Sequence, residues 1–336
     1  MFKPKRIGID LGTANTVVTV VGEGIILNEP TVVAVNAEDN TVVAVGNEAL
    51  AMLGRTPDTI VASRPLKNGA IADYGVTEAM LKYFLRKVIG RFPIIKPDVF
   101  IATPAGVTSV ESRAVQDATL NAGAKSVTLV PEPLAAAIGA NLRVSDASGS
   151  MIINSGGGTT EVAVISLSGL VRYGSTRVAG NAIDEVILSH MRKKYNLIIG
   201  ERTAEDIKIK IGMAVNEGEF KVMEVKGRDS VMGLPRTVEI TSKEITSAIE
   251  PVLNMMLVGV KEVLEDTPPE LASDIIDKGI AMSGGTSLLT NIDKYFTMHV
   301  SVPVYVVEKP LFCVIQGLEI IATDKDHFKN ALIKSV

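Results

Sequence analysis

Two segments of this chain, about half its length apart, repeat the same local pattern. Residues 7–21 and residues 151–165 each contain a β-branched run, a turn with glycine and a second β-branched run. This pattern predicts a β-hairpin in each segment. A repeat on this scale indicates two similar halves that face each other, with one glycine turn from each half at a shared cleft. Clefts between domains are common ligand sites.

The length and composition fit two ordinary globular domains. The chain has 336 residues, of which 46% are hydrophobic and 21% are charged, so its composition is far from those of disordered or disulfide-rich proteins. Its formal net charge is −4. Because it lacks the excess of cations that binds a phosphate backbone, we expect no nucleic acid partner.

The cysteine and histidine content and the hydropathy pattern predict a cytoplasmic protein without a structural metal. The single Cys313 can form no internal disulfide, and the three histidines show no metal-ligand spacing. No apolar run approaches the roughly 18 to 20 residues that span a bilayer. Residues 1–6 lead directly into the first strand, without the apolar segment of a signal peptide, so we expect neither a membrane span nor secretion.

Helical and strand patterns alternate between and after the two hairpins. Apolar residues at helical spacing predict helices, and short β-branched runs bounded by Gly or Pro predict strands. The predicted helices cover residues 77–89, 109–122, 134–141, 182–195, 203–215 and 243–265. The other predicted strands cover residues 99–102, 127–130, 220–225 and 236–240. The expected fold class is α/β, with short connections and a terminal helix shared by the two halves.

The two glycine turns favour an anionic ligand. Successive backbone N–H groups that glycine frees from Cβ clashes form a small concave site suited to phosphate oxygens. A Rossmann or P-loop glycine run opens a helix, whereas a strand follows each turn here, so neither motif fits. For either turn alone, a hairpin that only needs positive φ is the alternative. Their repetition, with Asp10 and Thr13 in the first, favours two turns that clamp one polyphosphate.

Six segments resemble, in order, the motifs of the superfamily that contains actin, DnaK-type chaperones and sugar kinases, in the form typical of bacterial actin, MreB. These segments are residues 10–16, 28–34, 69–74, 132–139, 156–166 and 200–205. The resemblance covers essentially the whole chain and leaves no room for a chaperone's peptide-binding domain. It implies an actin-like ATPase fold of two ribonuclease-H-like domains, each with a smaller inserted subdomain.

By this resemblance the chain divides into four subdomains around one nucleotide cleft. Subdomain IA takes residues 1–33, 66–144 and 310–336, and subdomain IB takes residues 34–65. Subdomain IIA takes residues 145–180 and 243–309, and subdomain IIB takes residues 181–242. The resemblance places the bound nucleotide between the two halves.

The resemblance also implies a site for ATP and Mg²⁺. Residues of the two turns would hold the β- and γ-phosphates, an E-x-x-K-x-x-x-G helix would address ribose and adenine, and a Gly-Gly loop would approach the base. Taken alone, that helix spacing is typical of a solvated face and a Gly-Gly pair of a turn. The implied nucleotide-binding residues are Asp10, Gly12, Thr13, Ala14, Asn15, Asn154, Gly156, Gly157, Gly158, Glu205, Lys208, Gly212, Gly284, Gly285, Thr286 and Ser287. Asp10 would anchor Mg²⁺ directly or through water.

For hydrolysis, the resemblance assigns the attacking water to Glu132 and Thr159. Without it, a Glu-Pro pair is typical of a strand end. The family has Asp where this chain has Asn154, and a neutral side chain should hold Mg²⁺ less firmly, so we expect weak ATPase activity. Two smaller departures raise questions about the adenine loop and the hinge: Thr286 replaces a third glycine, and Glu319 replaces the second glycine of a Gly-x-Gly pattern.

A short proline-bounded loop after residue 90 predicts membrane contact. In the family this region carries a hydrophobic loop that enters the membrane, so Phe92, Ile94 and Ile95 are the predicted lipid contacts. Packing of the two isoleucines on a neighbouring helix is the alternative.

The family resemblance further implies self-association in head-to-tail filaments, paired antiparallel at the inner face of the cell membrane. Adaptor proteins and paralogues are the other implied partners, and the implied location is cytoplasmic and peripheral to the membrane. The implied task is control of cell shape, extending to shape and swimming in a wall-less helical bacterium.

A small-molecule kinase of the same superfamily and a chaperone-like ATP-binding regulator are the alternative functions. The chain shows no inserted substrate domain and no clear motif for an aspartate that would activate a substrate hydroxyl. We therefore predict an MreB-like filament protein in which ATP stabilises cleft closure, closure favours polymerisation and hydrolysis loosens the polymer.

Overall fold

The computed structural model of the protein describes residues 4–90, 95–329 and 332–333. Its strands are β1 (Arg6–Leu11), β2 (Asn15–Val20), β3 (Gly24–Pro30), β4 (Val33–Asn36), β5 (Val42–Val45), β6 (Ile60–Ser63), β7 (Leu66–Lys67), β8 (Ala70–Ile71), β9 (Asp98–Thr103), β10 (Ser126–Pro131), β11 (Ser150–Ser155), β12 (Thr160–Ser166), β13 (Gly169–Thr176), β14 (Leu197–Ile198), β15 (Val222–Asp229), β16 (Pro235–Thr241), β17 (Ile280–Ser283) and β18 (Val304–Val306). Its α-helices are α1 (Asn47–Met52), α2 (Tyr74–Ile89), α3 (Ser109–Asn121), α4 (Glu132–Gly139), α5 (Gly180–Tyr195), α6 (Glu201–Ile211), α7 (Ser242–Glu265), α8 (Pro269–Lys278), α9 (Ile292–Val300) and α10 (Cys313–Thr323).

Two five-stranded sheets have the same layout. In the first sheet the strand order is β10-β9-β1-β2-β3, and in the second it is β13-β12-β11-β17-β18. In each sheet an antiparallel hairpin, β1/β2 or β11/β12, continues into parallel strands. Both predicted hairpins and the predicted α/β class are confirmed. Because β1, β9 and β10 run parallel, their carboxyl ends meet at one edge of the first sheet.

Smaller sheets extend from this frame. Strands β4, β5 and β6 form one in the order β5-β4-β6, strands β14 to β16 form another, and β7 pairs with β8. The first lies in the chain between β3 and α2, and the second lies between α5 and α7. Each three-stranded sheet therefore interrupts the sequence of one five-stranded half.

Local sequence signals explain where the helices begin. Thr108 and Glu111 form a reciprocal capping box at the start of α3, and the Asp73 side chain accepts from the backbone of Val76 at the start of α2. The Thr241 hydroxyl caps α7 in the same way. Such caps satisfy backbone N–H groups that the first helical turn leaves without partners.

The predicted helix over 203–215 ends four residues early. Helix α6 stops at Ile211 because Gly212 takes an extended conformation, with ψ of 135°. Met213 then forms a β-bridge with Thr290, and its side chain is buried. The strand predicted over 220–225 begins two residues later, at Val222, and continues as far as Asp229.

The hydrophobic core has a shared central part. One cluster lies between the first sheet and α2 with α3, and another lies between the second sheet and α5 to α7. A third cluster joins Phe100 of the first sheet to Ile152 and Ala281 of the second, together with residues of α4 and α10. The two halves are therefore packed on a common core.

Helices α4 and α10 cross within that shared core with their backbones in contact. A Cβ atom on Gly139 would overlap the carbonyl oxygen of Cys313, and one on Gly317 would overlap the carbonyl oxygen of Ala135. Only glycine fits at either position, because the overlapping atoms belong to the main chain. The Cys313 thiol is fully buried at this crossing, and its burial raises the pKa of the thiol to about 11.

Glu319 leaves the packing at this crossing undisturbed. Its carboxylate accepts a hydrogen bond from the Thr19 hydroxyl at 2.9 Å and lies 3.4 Å from the backbone nitrogen of Gly22. It thereby ties α10 to the turn after β2. The close approach of the two helices depends on Gly317, two residues earlier.

The ranges 4–90, 95–329 and 332–333 contain no helix that is long and apolar enough to cross a membrane.

Candidate functional site

The turns of the two hairpins touch each other at the base of a cleft. The first turn, residues 12–14, connects β1 to β2, and the second, residues 156–159, connects β11 to β12. A Cβ atom on Gly157 would lie 2.9 Å from Cβ of Ala14, and one on Gly158 would overlap the Thr13 hydroxyl. Glycine is therefore required at these positions for the two loops to approach so closely.

Hydrogen bonds from the far side orient the second loop. The carbonyl of Gly156 accepts from the Thr286 hydroxyl at 2.7 Å, and the carbonyl of Gly157 accepts from the backbone of Asn181 at 2.8 Å. Because a trans peptide is planar, the N–H groups of Gly157 and Gly158 point the opposite way from these carbonyls. Both glycines line the cleft, so their N–H groups are available to an anion there.

Thr31 and Gly69 support the first loop. The Thr31 hydroxyl donates to the carbonyl of Gly12 at 2.7 Å, and its backbone N–H donates to Ala14 at 2.9 Å. The Thr13 hydroxyl accepts from the backbone N–H of Gly69 at 3.2 Å. That hydroxyl keeps its own proton for donation to a ligand in the cleft.

Two carboxylates, those of Asp10 and Glu132, lie at the same end of the cleft. Burial raises the pKa of Asp10 to about 7. Burial also raises the pKa of Glu132 well above its usual value, and the charges of Asp10 and Glu161 raise it further. Carboxylates arranged in this way favour a bound cation, which would relieve their mutual repulsion.

The donor set at Asp10 fits Mg²⁺. In the described part of the chain, no group of three or more His, Cys, Asp or Glu side chains is placed to hold a metal. Magnesium commonly takes one or two protein carboxylates and fills its other positions with water and substrate phosphates. A single Asp10 carboxylate beside two phosphate-type loops meets that requirement.

Asn154 bridges the cleft carboxylate to the second sheet. Its amide nitrogen donates to Oε1 of Glu132 at 2.8 Å, and its carbonyl oxygen accepts from the Ser283 hydroxyl at 2.8 Å. Asn154 is buried, and its register partner on β17 is Ser283. The oxygen that the sequence suggested for the metal therefore already has a protein partner, and the amide restrains Glu132.

The Gly-Gly loop after β17 lies against the second glycine turn. Gly284 has φ of 85°, and a Cβ atom there would overlap the backbone of Ser155. Gly284 and Gly285 line the cleft, whereas Thr286 and Ser287 are buried behind it. Thr286, the departure noted in the sequence, supplies the hydrogen bond that fixes Gly156.

Helix α6 lies beside the cleft without lining it. Lys208 donates to the carbonyl of Gly180 at 3.2 Å and to the carboxylate of Asp184 at 2.8 Å. Glu205 is exposed, and Gly212 is buried at the end of the helix. The predicted nucleotide residues fall into two groups. Asp10, the residues of the two loops and the Gly-Gly pair lie around the cleft. The predicted residues of α6 lie to one side of it.

The sequence analysis assigned no role to two carboxylates near the site. Asp184 pairs with Lys208, and Glu161 is fully buried between the two halves. Glu161 lies in the segment 156–166 that resembles a family motif, and it is an acidic residue inside the apolar run of β12. Asp184 lies four residues after Gly180 on α5, and this spacing alone indicates no chemical role. Its partner, Lys208 of α6, comes close only in the folded chain.

A family model for the MreB/Mbl protein matches residues 4–330. The chain belongs to the MreB/Mbl family. It is 46% identical to the cell shape-determining protein Mbl of Bacillus cereus over 329 residues, which covers 98% of this chain and 99% of that one. It is 47% identical to the cell shape-determining protein MreB of Escherichia coli K12 over 316 residues, with coverage of 93% and 91%.

Solved structures support the same fold. MreB5 of Spiroplasma citri bound to AMPPNP matches this MreB/Mbl chain with a TM-score of 0.92 at 38% identity, covering 98% of this chain and 99% of that one. A second structure of that protein is bound to ADP. The MamK double helical filament matches with a TM-score of 0.82 at 19% identity, over 96% and 99% of the two chains. The predicted actin-like fold is confirmed.

The predicted membrane loop of this MreB/Mbl chain is described only at its end. Phe92 and Ile94 lie outside the described residues. The side chain of Ile95 is 38% exposed. An exposed isoleucine at this position is compatible with lipid contact, which stays a prediction.

Proposed function

We propose that this MreB/Mbl chain binds Mg-ATP in the cleft and polymerises into filaments that govern cell shape. The observation that carries the proposal is the pair of touching glycine loops, because their amides converge on one anion site beside Asp10. Two supports come from relatives: curated MreB and Mbl proteins are named for determining cell shape, and MreB5 was solved with AMPPNP and with ADP. The MamK filament shows that the fold can assemble.

In this proposal the loops hold the β- and γ-phosphates through Thr13, Ala14, Asn15 and the glycines of the second turn. Bound Mg²⁺ neutralises the phosphate charge. Asp10 anchors that ion directly or through water, and Gly284 and Gly285 let the backbone approach the base. Glu205 and Lys208 address the sugar from the side of the cleft.

Hydrolysis is assigned to Glu132 and Thr159, which orient the attacking water. We propose that turnover is slow because the Asn154 amide donates a hydrogen bond to one carboxylate oxygen of Glu132. A carboxylate oxygen that accepts a hydrogen bond from an amide is less basic, since the bond stabilises the charged form. The nucleotide then acts mainly as a conformational ligand that favours the closed cleft.

Filaments would form by head-to-tail contacts between subunits, paired antiparallel on the inner face of the cell membrane. Ile95 with Phe92 and Ile94 would supply the lipid contact, and the chain would be cytoplasmic and peripheral. Adaptor proteins and paralogues are the further proposed partners.

Sedimentation of the purified protein with Mg-ATP, Mg-AMPPNP, Mg-ADP or no nucleotide tests this function. We expect filaments in the pellet by electron microscopy, with an amount that depends on the nucleotide. Loss of the glycine contact between loops in Gly158→Val should abolish nucleotide-dependent pelleting, whereas Gly200→Val serves as a glycine control, because Gly200 is exposed, has φ of −86° and has open space around it. Soluble subunits in every condition, including with anionic vesicles, would contradict the proposal, and ATP loss that requires an added acceptor would favour a kinase.

A further inference from the structure

A row of polar side chains crosses the second sheet on the face turned toward the first. Ser283, Asn154, Glu161 and Ser175 are register partners on the adjacent strands β17, β11, β12 and β13. Directly paired residues place their side chains on the same face of a sheet. The row therefore forms one polar strip across this face of the sheet.

Glu161 connects this strip to the other half of the molecule. Its Oε2 accepts a hydrogen bond from the backbone N–H of Ala105 at 3.1 Å, and its Oε1 accepts from the Ser175 hydroxyl. Ala105 lies in the connection between β9 and α3, which belongs to the first sheet. One fully buried carboxylate thus joins the two halves by a direct hydrogen bond.

The bonded connection and Thr159 both approach Gly69. A Cβ atom on Gly69 would lie 2.8 Å from Cγ2 of Thr159 and 3.3 Å from Cγ of Pro104, so these three residues meet at one point. Pro104 immediately precedes Ala105, and Thr159 is two residues before Glu161. The hydrogen bond from Ala105 to Glu161 therefore closes a short loop of contacts around Thr159.

Burial of this carboxylate is costly, and its local partners do not remove the cost. Burial raises the pKa of Glu161, while the bonds from Ser175 and Ala105 lower it. A buried polar group destabilises the folded state unless it makes hydrogen bonds. The bond to Ala105 is thus sensitive to any movement of one half against the other.

We propose that Glu161 is a positioning residue. It couples the first half to the second, and it holds Thr159 in the position from which Thr159 orients the attacking water. Glu161 acts through the Pro104–Ala105 connection and is not among the residues that line the cleft. This role rests on the proposed function, because Thr159 matters only if ATP is hydrolysed in the cleft.

Two substitutions separate a hydrogen-bonding role from a charged one. Glu161→Ala removes the acceptor, whereas Glu161→Gln keeps an oxygen for the Ala105 N–H and offers an amide to the Ser175 hydroxyl. Arg177→Gln is the matched control, because Arg177 forms an exposed ion pair with Glu111 at 3.3 Å between the same two parts of the chain.

Hydrogen exchange at the Ala105 amide is the first readout and needs no nucleotide. In Glu161→Ala we expect exchange to accelerate by about tenfold, the change expected from the loss of one hydrogen bond. Glu161→Gln and Arg177→Gln should exchange like the parent. Unchanged protection of Ala105 in Glu161→Ala would overturn the coupling of the two halves.

Steady-state ATP hydrolysis is the second readout. We expect kcat to fall by about tenfold or more in Glu161→Ala with KM for ATP within about twofold, and both constants to return in Glu161→Gln. A Gln variant with a kcat about tenfold below that of the parent would overturn the positioning role, and this comparison stands even if Glu161→Ala fails to fold. A parent chain that binds no ATP contradicts the proposed function instead, and the exchange readout then still decides the coupling.

Discussion

Asp184 shows how burial alone can change the chemistry of a single residue. One carboxylate oxygen pairs with Lys208 at 2.8 Å, and the other is buried with no hydrogen-bond partner among the described residues. Burial raises the pKa of Asp184 to about 6, although Lys208 acts in the opposite direction. The folded protein therefore holds a proton here over a pH range in which the unfolded chain has released it.

This shift predicts that the free energy of unfolding contributed by Asp184 falls as the pH rises from about 4 to about 6. The sign follows because the folded state binds more protons than the unfolded state in that range. The effect is up to about 3 kcal/mol. Asp184→Asn should flatten the dependence, as measured by urea denaturation at pH 4.5 and pH 7.5. A slope identical to that of the parent would contradict the assignment.

The control for this experiment is Asp39→Asn. Hydrogen bonds from Thr41 lower the pKa of the exposed Asp39, so it is charged in both states above pH 4.5. Its removal should leave the pH dependence unchanged in this range.

Asn154 carries the second residue-scale prediction. Asn154→Asp replaces the amide that donates to Glu132 with a carboxylate, which frees the Glu132 oxygen and adds a charge for Mg²⁺. We expect kcat for ATP hydrolysis to rise by about tenfold, which corresponds to about 1.4 kcal/mol of activation free energy. Phosphate release with Mg-ATP measures it.

Ser283→Ala is the matched control for Asn154→Asp, because it removes only the bond to the Asn154 carbonyl and leaves Glu132 restrained. It should therefore leave kcat near the parent value. A parent turnover that is already high, with no gain in Asn154→Asp, would refute the argument.

Sequence reasoning identified residues whose chemistry is local. The role of the turn glycines and of Asp10 can be predicted from a few consecutive positions of the sequence. The roles of Glu161 and Asp184 cannot, because their partners Ala105 and Lys208 come from other elements that only the fold brings near. The alternative partner of the Asn154 carbonyl, Ser283, was likewise invisible until β17 was paired with β11.

At the scale of elements, the crossing of α4 and α10 is the tightest helix contact described above. A methyl group at Gly317 has only main-chain atoms of α4 to displace. Backbone cannot move aside by rotation about a side-chain bond, so the helices must separate.

We therefore predict that Gly317→Ala lowers the free energy of unfolding by about 1–3 kcal/mol. Gly259→Ala in α7 is the control, since a Cβ atom there would lie 3.6 Å from Thr176, an ordinary contact. That change should stabilise the protein by up to about 1 kcal/mol, because alanine favours helix. Thermal unfolding of both variants measures the pair; equal effects would show that the crossing has room.

Elements with strong periodic patterns were predicted well, and those defined by pairing were not. The two hairpins and the helices α3 and α7 have clear caps or alternation. Strand β13 lacks an alternating apolar pattern because much of it is partly exposed, and it is recognisable only beside β12. The end of α6 was misplaced because apolar residues continue past Gly212 into a bridge with Thr290.

At the scale of the whole molecule, the shared cluster makes the two halves depend on each other. Residues of both five-stranded sheets bury their apolar surface against the same two helices. Neither sheet can expose that surface without a loss of about 25 cal/mol per Å² for both. The motif order predicted this overall arrangement, while the exact subdomain boundaries stay predictions because motifs mark sites and not chain crossings.

We predict a single cooperative unfolding transition for the nucleotide-free protein. In scanning calorimetry the van't Hoff enthalpy should be close to the calorimetric enthalpy. Two separate transitions, or a stable fragment of residues 1–144, would show that the halves fold independently.

The one sulfhydryl of this chain is placed where the two central helices meet. Because Cys313 is fully buried and its burial raises the pKa of the thiol to about 11, alkylating reagents can reach it only when α10 lifts from α4. Cysteines added on the surface can thus be labelled while this thiol remains unreacted. The rate at which Cys313 is alkylated then measures how often the helices at the molecule's centre separate, and no added cysteine is needed for this measurement.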